Sequence, residues 1–290
     1  MTMLDAIRVA GAVAALAFSV STACAEEDLR EAAQNPIANM ISLPFQNETN
    51  FGLGNTDNTQ NILNIQPVFP VHLNDNWNLI IRPILPVVYQ EPFLSGQELQ
   101  QAERVLGDDI GENHFGLGDL TPEFFFSPSK PTELTPDVSL VWGAGPVFQI
   151  PTATNDLLGT GKWSAGPGFV TFLSVKPLKI TTGFLVFNLW SFAGDEDRSD
   201  VNAMTFQPFL NYNLPNGWYL TTSPVITANW KAAEDNRWTV PVGGGVGRIF
   251  EVGHQAINAQ VSAYYNVAKP DNTGPDWQLR AQLTFLFPTR

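Results

Sequence analysis

Few side chains in this sequence are equipped to make or break bonds. A nucleophilic serine needs a base within hydrogen-bond reach, and the chain offers three histidines. His72 stands close to a tight turn, His114 is in a long loop and His254 sits in the turn "EVGHQ". None has the setting of a serine's base, so an enzyme such as a lipid hydrolase is the weaker reading. The single cysteine, Cys24, lies in a cleavage-site motif, so the exported chain would hold no thiol, disulfide or Cys-ligated metal, and no cofactor is expected. Five ionisable residues stand apart: Glu48, Arg82, Asp119, Glu123 and Arg280, with His72 as a marginal sixth. Each falls opposite the apolar positions of an alternating segment. Opposite charges enclosed at one height should pair, since burying either alone is costly. Such pairs are either static braces or a constriction that filters solutes by charge.

The segments that carry these residues share one pattern. In "WYLTTSPVITANW" (218–230) every second residue is apolar or small between two tryptophans. The same period of two runs through 41–53, 62–73, 77–89, 120–126, 138–150, 163–175, 180–192, 204–214, 238–250, 257–267 and 277–287. The connections alternate as well. "LNDN", "KPLK", "LPNG" and "EVGHQ" are tight, with "SPSKPTELTPD" as a long member of that set. Residues 90–115, 151–161, 193–200, 231–236 and 269–276 are more charged and often longer. Short turns at one end and long loops at the other describe a closed antiparallel transmembrane β-barrel of about twelve strands. Twelve steps of about 3.3 Å, tilted near 40°, rise roughly 30 Å. That carries Trp218 and Trp230 to opposite interfaces, where indoles prefer to sit. Trp77, Trp163, Trp190, Trp238 and Trp277 complete the expected girdles. The competing soluble β-sandwich fits less well, because soluble strands usually run about 5–6 residues.

The totals agree. The formal net charge is −13 without a Lys/Arg cluster, which argues against a nucleic-acid partner. No apolar run reaches the roughly 18 residues of a spanning helix. Residues 1–25 read as a cleaved signal peptide: Arg8, the apolar "VAGAVAALAFSV", then Ala23-Cys24-Ala25 before Glu26. An uncleaved interfacial helix and lipidation at Cys24 are the alternatives. Residues 26–40 read as a short helix stopped by Pro36, in the periplasm or at the lumen mouth, and 41–290 as the barrel.

Several features qualify the barrel. Pro67, Pro70, Pro83, Pro86, Pro146, Pro167, Pro208, Pro224 and Pro241 fall inside strands, where each removes a ladder donor, so local bulges are expected. The inward face carries Gly143, Gly145, Gly166, Gly168, Gly243, Gly245 and Gly247. The space they leave is either packed by inward aromatics such as Tyr264 or open as a groove. Val141, Val147, Val170, Phe172, Leu185, Phe187, Leu189 and Ile249 also face inward, an apolar patch suited to small apolar solutes or to a packed lumen. The outward acidic loops point to outer-membrane lipids and lipopolysaccharide as neighbours, through divalent cations, or are simply solvated.

The stretches "NPIANMISLPFQNETNFG", "QNILNIQPVFP", "WNLIIRPILPV", "FGLGD", "WGAGPVFQIPTAT", "KWSAGPG", "QPFLNYNLPNGWYL" and "PDWQLRAQLTFLFP" resemble the meta-pathway of phenol degradation-like family of bacterial outer-membrane transporters, over nearly all of residues 35–288. That resemblance implies a twelve-stranded barrel in the bacterial outer membrane and a channel or transporter for small solutes, hydrophobic or aromatic compounds among them, by passive diffusion. It carries over no substrate residue. The end "LTFLFPTR" resembles the signal read by the barrel-assembly machinery, with Pro-Thr-Arg following the aromatic as a departure. A structural or adhesive barrel with a closed lumen is the alternative.

Overall fold

The computed structural model of the chain describes residues 29–287 other than 55, 93, 98, 101–110 and 272. The signal-peptide reading and the departure at 288–290 lie outside the described residues. After a helical turn at 29–34 the described residues are chiefly strands joined by turns and loops, with short 3-10 turns at Asp156–Leu158, Lys176–Leu178 and Glu234–Asn236. The segments are β1 (Ile41–Leu53), β2 (Asn58–Ile65), β3 (Phe69–Asn74), β4 (Trp77–Gln90), β5 (His114–Leu117), β6 (Thr121–Pro128), β7 (Thr132–Thr135) and β8 (Val138–Gln149). They continue with β9 (Lys162–Val175), β10 (Ile180–Gly194), β11 (Asn202–Asn213), β12 (Trp218–Thr222), β13 (Ile226–Asn229), β14 (Trp238–Val252), β15 (Gln255–Ala268) and β16 (Trp277–Phe287).

These segments form twelve barrel strands, because β2–β3, β5–β6–β7 and β12–β13 are each one strand with interruptions. Every neighbour is antiparallel, and β1 pairs with β16 in register from Ile41↔Phe287 to Phe51↔Trp277. That pairing closes the circle and leaves no free edge, the condition a sheet must meet in hydrocarbon. The turns 75–76, 136–137, 176–179, 214–217 and 253–254 share one end with residue 41 and residue 287. The longer loops share the other.

Alternation decides the faces. In β9, Trp163, Phe169 and Leu173 point out, while Ser164, Gly168, Val170, Phe172 and Ser174 point in and are buried. The seven girdle tryptophans are exposed on the outer surface at strand ends. Trp77 and Trp218 lie at the tight-turn end and Trp163, Trp190, Trp230, Trp238 and Trp277 at the loop end.

Six of the nine strand prolines fall into three groups, while Pro70, Pro86 and Pro208 keep regular register opposite Ile80, Asn64 and Phe184. Pro67 and Pro224 fall in the gaps between β2 and β3 and between β12 and β13. Pro241 marks a register shift against β15. Pro83 faces Pro122 and Pro146 faces Pro167, so two missing donors share one pair of positions and the neighbouring register is kept. Bulges therefore account for only part of the set.

Candidate functional site

The barrel encloses a lumen, and three sets of side chains divide it. The first is the chain before β1. Residues 29–40 enter at the tight-turn mouth and stay inside it. Gln34 Nε2 donates to Asn213 Oδ1 at 2.9 Å, and Thr181 Oγ1 donates to Gln34 Oε1 at 2.7 Å. Ser174 Oγ donates to Glu31 Oε1. Ile37, 2% exposed, inserts into the apolar cluster of the lumen, and Ala38 and Met40 pack with Ala256 and Leu286.

The second set is that apolar cluster. Ile37, Val68, Ile80, Phe125, Val147, Val170, Leu185 and Leu189 form it, with Val141, Phe187 and Val201 against its rim. Phe125 fills the room left by glycine, since a Cβ on Gly143 would meet Phe125 Cβ at 3.1 Å and one on Gly168 would meet its ring at 3.0 Å. Phe172 and Phe209 stack at 6.3 Å on either side of Gly183, which is the cross-strand partner of both. Ile249 is buried on β14, outside this cluster. Val147 and Val170 are fully buried, so this half of the lumen is a core.

The third set is polar. Arg82 Nη1 bonds Glu123 Oε2 at 3.1 Å and Arg82 Nη2 donates to Gln66 Oε1 at 2.7 Å. Arg82 and Glu123 are direct cross-strand partners, as are Glu48 and Arg280. Arg280 Nε lies 2.9 Å from Glu48 Oε1 without its N–H aimed at the oxygen, so that contact is chiefly coulombic. Arg280 Nη1 donates to the Ser223 carbonyl at 2.7 Å, Nη2 donates to Gln278 at 3.2 Å, and the guanidinium lies 5.1 Å from the Tyr264 ring centre. Gln46 and Gln278 donate to Glu48.

Asp119 has another task. It accepts from Thr160 N at 2.7 Å, Thr160 Oγ1 at 2.8 Å, Ala153 N at 3.3 Å and Gln149 Nε2 at 3.3 Å. The carboxylate thus pins the 151–161 loop over the barrel's loop end. His72 Nδ1 lies 3.2 Å from Asn78 Oδ1, near the tight turn. Among the described residues no cluster of His, Cys, Asp or Glu is arranged to hold a metal ion.

Between the apolar cluster and the plugging segment lies a chamber of about 140 Å³. Arg82 and Arg280 border it, with Gln66, Gln207, Gln260 and Gln282. Val68, Leu185 and Phe209 give it an apolar side, and Ala32, Ala33 and Pro36 close its floor. Phe209, Tyr219 and the amides escape a sequence reading that follows charge. The available signal was parity: each stands at an inward position of its strand.

Tyr219 lies against Gly247 and donates to Asn258 Oδ1 at 2.7 Å. Tyr264 reaches the wall itself: its hydroxyl accepts from Ser223 N at 3.1 Å. Residues 223–225 have no ladder partner on β11 or β14. Tyr264, Arg280 and Gln207, whose Nε2 donates to Ser223 Oγ at 2.8 Å, satisfy the break from inside.

No protein-family model and no curated protein matches the chain. Among solved structures it is similar to an outer-membrane channel from Pseudomonas putida F1, with 16% identity over 86% of this chain and 96% of that one, at a TM-score of 0.59. It is more loosely similar to the outer-membrane phospholipase A of Escherichia coli (12% identity, 88% and 93% covered, TM-score 0.45) and to the NanC porin (7%, 86% and 100%, TM-score 0.47). The likeness is one of fold, and the fold is that of bacterial outer-membrane β-barrels.

Proposed function

We propose that the protein is a passive outer-membrane channel for small, weakly polar solutes, hydrophobic or aromatic compounds among them. The observation that carries this is the chamber of about 140 Å³. Its volume is close to that of the roughly 150 Å³ cavity that accepts benzene. Its wall is mixed, with amides facing Val68, Leu185 and Phe209, which suits an aromatic ring bearing one polar substituent. Arg82 and Arg280 are each countered by a carboxylate, so the chamber offers no net charge to an inorganic ion. The membership suggested by the sequence resemblance, the meta-pathway of phenol degradation-like family, fits this solute class. Passage to the periplasm requires residues 29–40 to give way.

A structural barrel with a closed lumen is the second reading. The full burial of Val147 and Val170 and the seated Ile37 favour it. Planar-bilayer conductance and uptake of phenol-sized probes into proteoliposomes separate the two. Uptake that rises when Gln34 and Ile37 are replaced supports the channel. Silence in both assays, with the plug loosened, supports the structural barrel.

A further inference from the structure

The outer surface of the barrel carries a feature the lumen does not explain. A groove of about 560 Å³ runs across the lipid-facing side from Trp218 on β12 to Leu63 on β2. Its bed is low because the outward positions at its middle are Ala259 on β15 and Ala281 on β16. Phe45 and Phe250 rise on its sides, and its wall is overwhelmingly apolar. The volume lies within the roughly 300–1,000 Å³ of small-molecule sites. The groove crosses five strand spacings of about 4.8 Å, roughly 24 Å, enough to lay down an extended acyl chain.

One end of the groove is charged. Arg248, on its wall, is the only charged side chain pointing outward from the described barrel strands. Its guanidinium lies 5.2 Å from the Trp218 ring centre and 6.0 Å from that of Phe250. Arg248 is also the cross-strand partner of Trp218. These contacts hold the cation at the height of the tight-turn girdle, where lipid phosphates sit. Its Nε donates only a long bond, 3.4 Å, to the Asn216 carbonyl, and among the described residues no carboxylate bridges it. An arginine planted in apolar surroundings without a counter-ion calls for an anion, and its planar fork matches a phosphate. From that end the groove climbs toward Asn47 and Leu63 at mid-height, the course a chain takes from its headgroup into the bilayer.

We propose that this groove is a specific site for one phospholipid of the periplasmic leaflet, with its phosphodiester on Arg248 and one acyl chain over Ala259 and Ala281. The site does not depend on what passes through the lumen, so it stands or falls separately from the channel reading.

Native mass spectrometry of the delipidated, full-length mature protein tests it. Phosphatidylglycerol, the diacylglycerol with the same chains and inorganic phosphate are titrated separately. Retention of one phosphatidylglycerol at about ten times lower concentration than diacylglycerol is expected, with no retention of phosphate. Arg248→Gln should weaken phosphatidylglycerol about tenfold and leave diacylglycerol unchanged. Ala281→Phe, which fills the groove, should weaken both. Both side chains face lipid, and heat-modified gel mobility checks that each variant is folded. Equal retention of phosphatidylglycerol and diacylglycerol by the unaltered protein overturns the proposal without any variant. So does undiminished retention by both variants. Saturation by phosphate alone would reduce the site to a generic anion contact and overturn it as well.

Discussion

Thr181 of β10 is hydrogen-bonded to Gln34, 147 residues earlier in the chain. With Asn213 it holds the segment before β1 inside the barrel mouth. Each such bond contributes about 1 kcal/mol, and Ile37 adds an apolar anchor. Gln34→Leu with Ile37→Ser should therefore release residues 29–40 while the strands stay paired. Expected are a several-fold rise in solute permeation and a fall in stability of about 2–4 kcal/mol, read by proteoliposome uptake and urea unfolding. Unchanged permeation would show that the segment does not gate the lumen.

Glu123 is 1% exposed and its partner Arg82 faces the chamber. Removing the acid alone leaves a largely buried cation, at a cost of about 3 kcal/mol, the low end of the range for buried pairs. Replacing both, as Arg82→Met with Glu123→Leu, should restore most of that loss. A double-mutant cycle in urea reads this. If the double variant is as unstable as Glu123→Leu, the two side chains do not act as a pair.

Phe209 stacks on Phe172 over Gly183 and borders the chamber. Phe209→Ala should enlarge the chamber and raise entry of two-ring aromatics relative to phenol. Phe172→Ser with Phe187→Ser should lower apolar-solute uptake instead, by placing hydroxyls in the apolar wall. Competition uptake with labelled phenol measures both. Uptake insensitive to either change would move the route away from this wall.

Gly247 exists where it does because Tyr219 lies on it. Gly247→Val should displace the ring and cost about 1–3 kcal/mol through overpacking. Tyr219→Phe, which loses only the bond to Asn258, should cost about 1 kcal/mol. Gly247→Val without loss of stability would mean that the ring-on-glycine contact matters little.

The barrel was legible because lipid and lumen impose a strict period of two, and that period fixes the face of every strand residue, from Trp163 out to Val170 in. The tight turns and loops alternate for the same reason. What happens inside was less legible. Parity places Asp119 on the same inward face as Glu123, yet Asp119 turns to the loop amides of 153 and 160, because the strand is interrupted between β5 and β6. Parity places the apolar residues of β8 to β10 inward without saying what covers them. Their cover is Ile37, which precedes the first strand. Tyr264 was expected to fill space above glycines; Tyr219 lies on Gly247 instead, and Tyr264 braces Ser223.

That brace has a wider consequence. Neighbouring strands usually close a barrel through main-chain rungs alone. Here the weak rung at Ser223 is held by Tyr264 and Arg280, which reach it on the lumen side from β15 and β16, past β14. The wall and its contents therefore share one set of hydrogen bonds. A solute that competes for Arg280, or a mutation that shortens Tyr264, loosens the β12–β13 seam from within, so the lumen of this barrel acts as the mortar of its own wall.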